Sequence, residues 1–178
     1  MKDHQGFTIW FTGLPCCGKT TIADQVALVL KKKKYTVEQL DGDIIRHDVT
    51  HDLGFSKKDR DENIKRVTSI AKTLTNKNVV VLASFVSPYR KERRNARKEI
   101  KKFIEVYVRC PVEICMQRDV KGMYKKALEG KIKHFTGVDD PYEEPEHPEL
   151  ILDTDIESVE ESVQKVLQTI EELGYLTR

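Results

Sequence analysis

An apolar run, Ile9-Trp10-Phe11-Thr12, leads directly into Gly13-Leu14-Pro15-Cys16-Cys17-Gly18-Lys19-Thr20, a match to the pattern GxxxxGK[ST]. No other stretch constrains the fold so tightly, because a phosphate-binding loop of this spacing works between a strand and the helix that follows it. Its glycines let backbone N–H groups turn inward on phosphate oxygens, and the helix beginning near Lys19 adds the positive end of its dipole. Lys19 is then suited to the β- and γ-phosphates and the Thr20 hydroxyl to Mg²⁺, with Thr21 beside them in the first helical turn. The bland alternative is a glycine turn that matches by chance; an apolar run before it and an amphipathic helix after it argue otherwise. The loop predicts a bound nucleoside triphosphate and leaves the phosphate acceptor open.

The rest of the chain reads as alternating helices and strands. Ile22, Ala23, Val26, Ala27, Val29 and Leu30 share a helical face, and Lys31 to Lys34 suit the negative end of that helix. Tyr35 to Leu40 reads as a second strand running into Asp41-Gly42-Asp43. Carboxylates at a strand end face the crevice where an open parallel sheet takes its ligands. There one can hold a Mg²⁺ water and the other can accept a proton from an attacking hydroxyl, with Arg46 as an anion donor three residues on. An ordinary acidic turn is the alternative. Ser56 predicts the cap of a helix carrying Ile64, Val67, Ile70, Ala71 and Leu74. Phe55, Arg60 and Asn63 stand at its mouth, suited to a base and a phosphate, although Phe55 also reads as a helix staple.

Asn78 to Phe85 is a β-branched run of the kind buried on both faces of a sheet, predicting a central strand next to the first. Val86-Ser87-Pro88-Tyr89-Arg90 then makes a sharp exit, since proline disfavours helix at the residue before it. Arg90 to Lys102 reads as a basic solvated helix, Phe103 to Val108 as a fourth strand, and Pro111 opens a short helix ending at Arg118-Asp119. From Val120 to Pro148 the chain is punctuated by glycine and proline and rich in Lys, Asp and Glu. A long segment of this kind within a compact domain predicts an active-site lid, here about 120–148, with Lys121, Lys133, Phe135 and Thr136 as its chemically apt residues. Leu150 to Leu152 forms a short fifth strand, and Ile156 to Leu173 a closing helix capped by Gly174. The expectation is one α/β domain over residues 1–178: a P-loop NTPase-type three-layer fold with a five-stranded parallel sheet and a lid.

Bulk properties narrow the partners. Charged residues are 34% of the chain, yet the net charge is only +2, so nonspecific nucleic-acid binding is not expected. No apolar run is long enough for a membrane span, and the polar start from Met1 to Gly6 does not read as a signal sequence. A soluble cytoplasmic protein follows as the expectation. Cys16, Cys17, Cys110 and Cys115 have neither disulfide-framework nor CxxC spacing, so reduced thiols are expected. Packing is the plain reading of Cys16-Cys17; the alternative is a redox-sensitive loop, because a helix N-terminus lowers a thiol pKa.

Taken together, Gly13 to Thr20, Leu40 to Asp43 with Arg46, Leu53 to Ser56 with Asp59-Arg60 and Glu62 to Ile64, Val86 to Arg90, and Lys121 to Tyr124 resemble the adenylylsulfate kinases. Ile132-Lys133, Phe135 to Gly137, Asp140 to Glu143 and Pro148 to Leu150 continue the likeness, which runs from about residue 7 to 154 in unbroken order. The resemblance implies transfer of the γ-phosphate of ATP, with Mg²⁺, to the 3'-hydroxyl of adenosine 5'-phosphosulfate (APS), giving 3'-phosphoadenosine 5'-phosphosulfate (PAPS). It implies Gly13 to Thr21 and Arg118 on the ATP side, and Thr20 and Asp41 at the metal. Asp43 becomes the base, with Asp41, Arg46, Phe55, Arg60, Asn63, Val86, Ser87, Lys121, Lys133, Phe135 and Thr136 around the acceptor. Phe55 and Phe135 look like two faces of an adenine sandwich. Ser87 matches the position the family traditionally describes as a phosphoserine intermediate; with no evident base near it in sequence, a positioning role is expected instead. The departure is Pro15-Cys16-Cys17, where the family usually has small residues. A stand-alone kinase and a homodimer are further implications.

Two rival readings share the loop. Another small-molecule kinase of this fold would keep the Asp pair without needing Phe55, Phe135 and the arginines together. A nucleotide-gated binding module would need no acceptor base.

Overall fold

The computed structural model describes residues 5–176 and, of Asp43 and Arg46, the backbone only. Five strands form one parallel sheet: β1 (Thr8–Thr12), β2 (Val37–Asp41), β3 (Val80–Ser84), β4 (Phe103–Arg109) and β5 (Leu150–Asp153), in the order β2-β3-β1-β4-β5. Between them run α1 (Lys19–Lys32), α2 (Gly42–Asp48), α3 (Lys57–Asn76), α4 (Arg90–Glu99), α5 (Val112–Arg118), α6 (Met123–Leu128) and α7 (Val159–Glu172). The α/β three-layer arrangement predicted from the chain is therefore the one observed, with β1 and β3 side by side at the centre.

Strand alternation sorts the apolar side chains into two cores. Ile9 and Phe11 of β1 join Leu82, Val106 and Leu152 against α1 and α7, through Ile22, Val26, Leu30, Val166 and Ile170. Trp10 points the other way, into Val81, Ala83, Ile64, Val67 and Ala71, and its ring centroid lies 5.7 Å from those of both Phe85 and Phe103. The register aligns Phe11 with Ser84 and Ser84 with Asp41, so the phosphate loop and the Asp41 carboxylate leave the sheet at one carboxyl edge.

Several boundaries differ from expectation for local reasons. A short helix, α2, follows Asp41 where the acidic turn was only the alternative, and Ile45 is buried beside Leu40 in the second core. α4 ends at Glu99 rather than Lys102, since Ile100 leaves the helix in an extended conformation and is only 1% exposed. α7 starts at Val159, where Ser158 and Glu161 form a capping box. Ser56 caps α3 as predicted, reciprocally with Asp59. The punctuated segment contains α6, whose first amides at Tyr124 and Lys125 donate to Asp119 at 3.0 Å each. Tyr124, 1% exposed, nails this helix to the first core.

Candidate active site

The loop between β1 and α1 has the geometry its glycines predict. A Cβ on Gly13 would sit 2.3 Å from the Val108 carbonyl oxygen and 2.8 Å from Cys17 Sγ, so only glycine fits there. Gly18 caps α1 at φ 104°, a conformation that a side chain strains. Lys19 is 8% exposed, and its Nζ donates to the carbonyls of Gly13 (3.0 Å) and Leu14 (2.8 Å), spanning the loop from inside. The charge therefore lies within the backbone ring formed by Gly13 to Gly18, beside the amino end of α1, and both favour anions.

Cys17 is fully buried, and burial pushes its thiol up despite Lys19 Nζ at 3.6 Å from the sulfur. For this residue desolvation outweighs the nearby ammonium, which favours the packing reading. Cys115, also buried, is pushed up to about 12, chiefly by desolvation. Cys16 is half-buried with φ 63°, and among the described residues all four thiols are free.

At the other end of Lys19's turn, Thr20 Oγ1 donates to Asp41 Oδ2 at 2.7 Å. A hydroxyl and a carboxylate, paired across the edge of the sheet next to a phosphate loop, are the hard oxygen donors that Mg²⁺ takes alongside substrate phosphates. The donor chemistry thus fits that ion. Asp43 and Arg46 both lie on α2, one and four residues beyond Gly42; their side chains lie outside the described residues.

On the acceptor side, one guanidinium organises the crevice. Arg60 Nε donates to the Phe55 carbonyl at 3.1 Å, and Nη1 to Thr136 Oγ1 at 2.5 Å. Nη2 lies 3.4 Å from Asp140 Oδ2. Arg60 so joins the start of α3, at Phe55, to the tip of the punctuated segment, at Thr136 and Asp140. Phe55 is half exposed, whereas Phe135 packs edge-on against Tyr124, with centroids 4.9 Å apart. The Tyr124 hydroxyl donates to the Pro15 carbonyl at 2.9 Å, tying this segment to the phosphate loop. Asn63 is buried and its Oδ1 accepts from Thr50 Oγ1 at 2.8 Å. Lys121 and Lys133 are exposed.

Ser87 is 3% exposed and sits at φ 41°, a left-handed conformation costing about 1–3 kcal/mol for a non-glycine residue. Its Oγ accepts from Trp10 Nε1 at 3.1 Å and lies within hydrogen-bonding distance of Thr12 Oγ1 (3.1 Å) and the Phe85 carbonyl (3.2 Å). An indole, a hydroxyl and a carbonyl are not bases, so none of these partners can strip the serine proton. Thr12 Oγ1 also donates to the Val86 carbonyl at 2.8 Å, which locks the whole Val86–Ser87 exit against β1.

Sequence reasoning missed four residues that hold the site. Thr154 Oγ1 donates to the Cys17 carbonyl at 2.7 Å, and Arg118 Nη2 donates to the Thr154 carbonyl at 2.5 Å, which places Arg118 beside the loop. Tyr142 pairs its hydroxyl with Thr12 Oγ1 at 2.8 Å and stacks on Tyr107 at 5.9 Å. Burial pushes the Tyr142 phenol well up. Tyr124 and Arg93 complete the set. No local pattern marks them, although Tyr124 and Tyr142 lie within stretches that carry the family resemblance.

The model of the adenylylsulphate kinase family matches residues 5–153, across the loop, the Arg60 crevice and the segment over it. The chain belongs to the adenylylsulphate kinase family. It is 55% identical over 176 residues to an adenylyl-sulfate kinase of Halothermothrix orenii, covering 99% of this chain and 95% of that one. A second relative, the adenylyl-sulfate kinase of Rippkaea orientalis, is 53% identical over 175 residues, covering 98% and 97%. Among solved structures, the Mycobacterium tuberculosis APS kinase CysC in complex with AMPPNP and APS superposes with a TM-score of 0.91 at 40% identity, covering 94% of this chain and 99% of that one. A gluconokinase from Sinorhizobium meliloti, 15% identical with a TM-score of 0.65, shares the fold alone. Family membership thus separates this chain from the other small-molecule kinases built on the same sheet.

Proposed function

We propose that the chain phosphorylates the 3'-hydroxyl of adenosine 5'-phosphosulfate with ATP, releasing PAPS and ADP, the second step of sulfate activation. The observation that carries this reading is a phosphate loop with the Thr20–Asp41 pair at the carboxyl edge of the sheet, together with Arg60 bridging Phe55 to Thr136. Gly13 to Thr21, with Arg118 beside Thr154, take the ATP side. Thr20 and Asp41 are the residues that hold Mg²⁺, which when bound neutralises charge on the transferring phosphates.

On the acceptor side, Phe55 and Phe135 flank the adenine of APS. Arg46, Arg60, Asn63, Lys121 and Lys133 supply cations and donors for the phosphosulfate end, and Thr136 and Val86–Ser87 shape the wall. The O3' oxygen forms its bond to the γ-phosphorus as the bond from that phosphorus to the β–γ bridging oxygen breaks, and Asp43 takes the hydroxyl proton. Ser87 holds the acceptor's wall in place and forms no covalent intermediate, in keeping with its lack of a base and its burial beneath Trp10. A homodimer is the assembly we assign by family resemblance, to be checked by light scattering.

The test mixes ATP, Mg²⁺ and APS and follows ADP. APS-dependent release is expected, and none above the ATP-only background would overturn the reading. Asp43→Asn should lower kcat by roughly 10²-fold with nucleotide binding unchanged; full activity would move the base elsewhere.

A further inference from the structure

Arg93 of α4 is one of the most enclosed charges in the chain, 2% exposed, and resemblance assigns it nothing. All three guanidinium nitrogens are engaged, each by a different part of the fold. Nε donates to Glu105 Oε1 of β4 at 2.9 Å, Nη1 to the Ser87 carbonyl at 2.6 Å, and Nη2 to the Glu143 carbonyl at 2.5 Å. Its planar head also lies 5.6 Å from the ring centroid of Tyr142.

These partners are not arbitrary. The Ser87 carbonyl belongs to the residue held at φ 41°, in the wall assigned to the acceptor. The Glu143 carbonyl belongs to the foot of the punctuated segment, whose Tyr142 reaches Thr12, the residue before the phosphate loop. Glu143 is anchored twice more: its amide donates to the Pro88 carbonyl at 2.8 Å, and its carboxylate accepts from the Arg90 amide at 2.8 Å. Glu105, 8% exposed, supplies the counter-charge that makes a buried guanidinium tolerable, and Arg97 lies 3.4 Å from its second oxygen. A residue devoted only to stability has no need to grip the strained peptide of the wall and the foot of the segment with one rigid fork.

We infer that Arg93 is a positioning residue for the acceptor: it sets the Ser87 peptide and the foot of the lid in fixed relation, so that lid closure delivers the acceptor against one wall. The inference rests on the reading that Val86–Ser87 lines the acceptor site. Lysine can keep the charge pair with Glu105, but a single ammonium cannot reproduce a planar fork that holds two carbonyls and a carboxylate at once.

Steady-state kinetics on intact Arg93→Lys, varying ATP and APS separately beside the unaltered chain, test it. The KM for APS should rise roughly tenfold or more while the KM for ATP stays within about twofold. Equal change in both, or change in neither with only a lowered Tm, would overturn the inference. Should Arg93→Lys not fold, the paired variant Arg93→Met/Glu105→Gln removes both buried charges together. The same split is expected, and failure of both variants to fold would make Arg93 a fold residue and withdraw the positioning role. An unaltered chain without APS-dependent turnover would sink the functional reading itself, whereas an active chain without the split would sink only this inference.

Discussion

Single residues at the site are governed by what surrounds them more than by their type. Cys16 and Cys17 are neighbours in the chain, yet one is half-buried and the other is enclosed beneath Gly13 with its thiol pushed up by burial. Iodoacetamide on the native protein should therefore modify Cys16 and spare Cys17, Cys110 and Cys115, as read by peptide mass spectrometry. Adducts on Cys17 in folded protein would contradict the packing. Ser87 makes a second case. Removing its hydroxyl in Ser87→Ala orphans the Trp10 indole N–H, at a stability cost of about 1 kcal/mol, and should leave most of the turnover intact. A covalent route through that oxygen would instead lose turnover altogether while APS still bound.

At the scale of elements, the segment from Val120 to Pro148 has two unlike halves. Residues 141–149 are strapped to α4 and β4: Arg94 to Glu146, Arg97 to both oxygens of Glu149 at 2.6 and 2.8 Å, and the Glu105 amide to Glu149 at 2.6 Å. The tip around 134–140 reaches the rest of the fold through Arg60, by way of Thr136 and Asp140, and is otherwise held largely by bonds within itself. There Asp139 accepts from the amides of Phe135 (2.6 Å) and His134 (2.8 Å), and those bonds hold its carboxyl below the usual carboxylate range. Asp139→Ala should speed hydrogen exchange at the His134 and Phe135 amides while leaving 142–149 protected. Uniform acceleration across both halves would mean that the segment opens as one unit. α2 and α6 are the elements least visible beforehand, because each is a single short helix held by very few buried residues, Ile45 in α2 and Tyr124 with Ala127 in α6, rather than by a repeating apolar face.

Over the whole molecule, many carboxylates sit in pairs that favour their charged form. Hydrogen bonds from Arg66, Lys72, Arg94 and Arg109 hold Asp52, Glu99, Glu146 and Asp153 below their ordinary range. A folded pKa below the unfolded one contributes stability that is fully present above the unfolded value, about 4, and is lost as pH falls through the folded value. Tm should therefore hold steady from pH 7 to about 5 and fall below about 4, with added salt weakening the dependence because these pairs are exposed. A Tm unchanged down to pH 3 would show that the pairs contribute nothing.

What the sequence by itself determined was set by local rules. A strand, a glycine loop and a helix are written into residues 9–30 by spacing. The buried β3 is written by its β-branched run, and the cap of α3 by Ser56. Those rules act over a few residues, which is why the fold class, the loop and the acidic edge at Asp41 were legible. Only tertiary structure decided which distant groups meet. Thr20 with Asp41, Arg60 with Thr136, Thr154 with Cys17, and Arg93 with Glu143 are joined across 21 to 137 residues. Such pairings follow from the parallel order β2-β3-β1-β4-β5, which brings separate strand ends to one edge, and no local periodicity encodes that order. The phosphate loop is thus a property of the sequence, and the crevice that faces it is a property of the sheet.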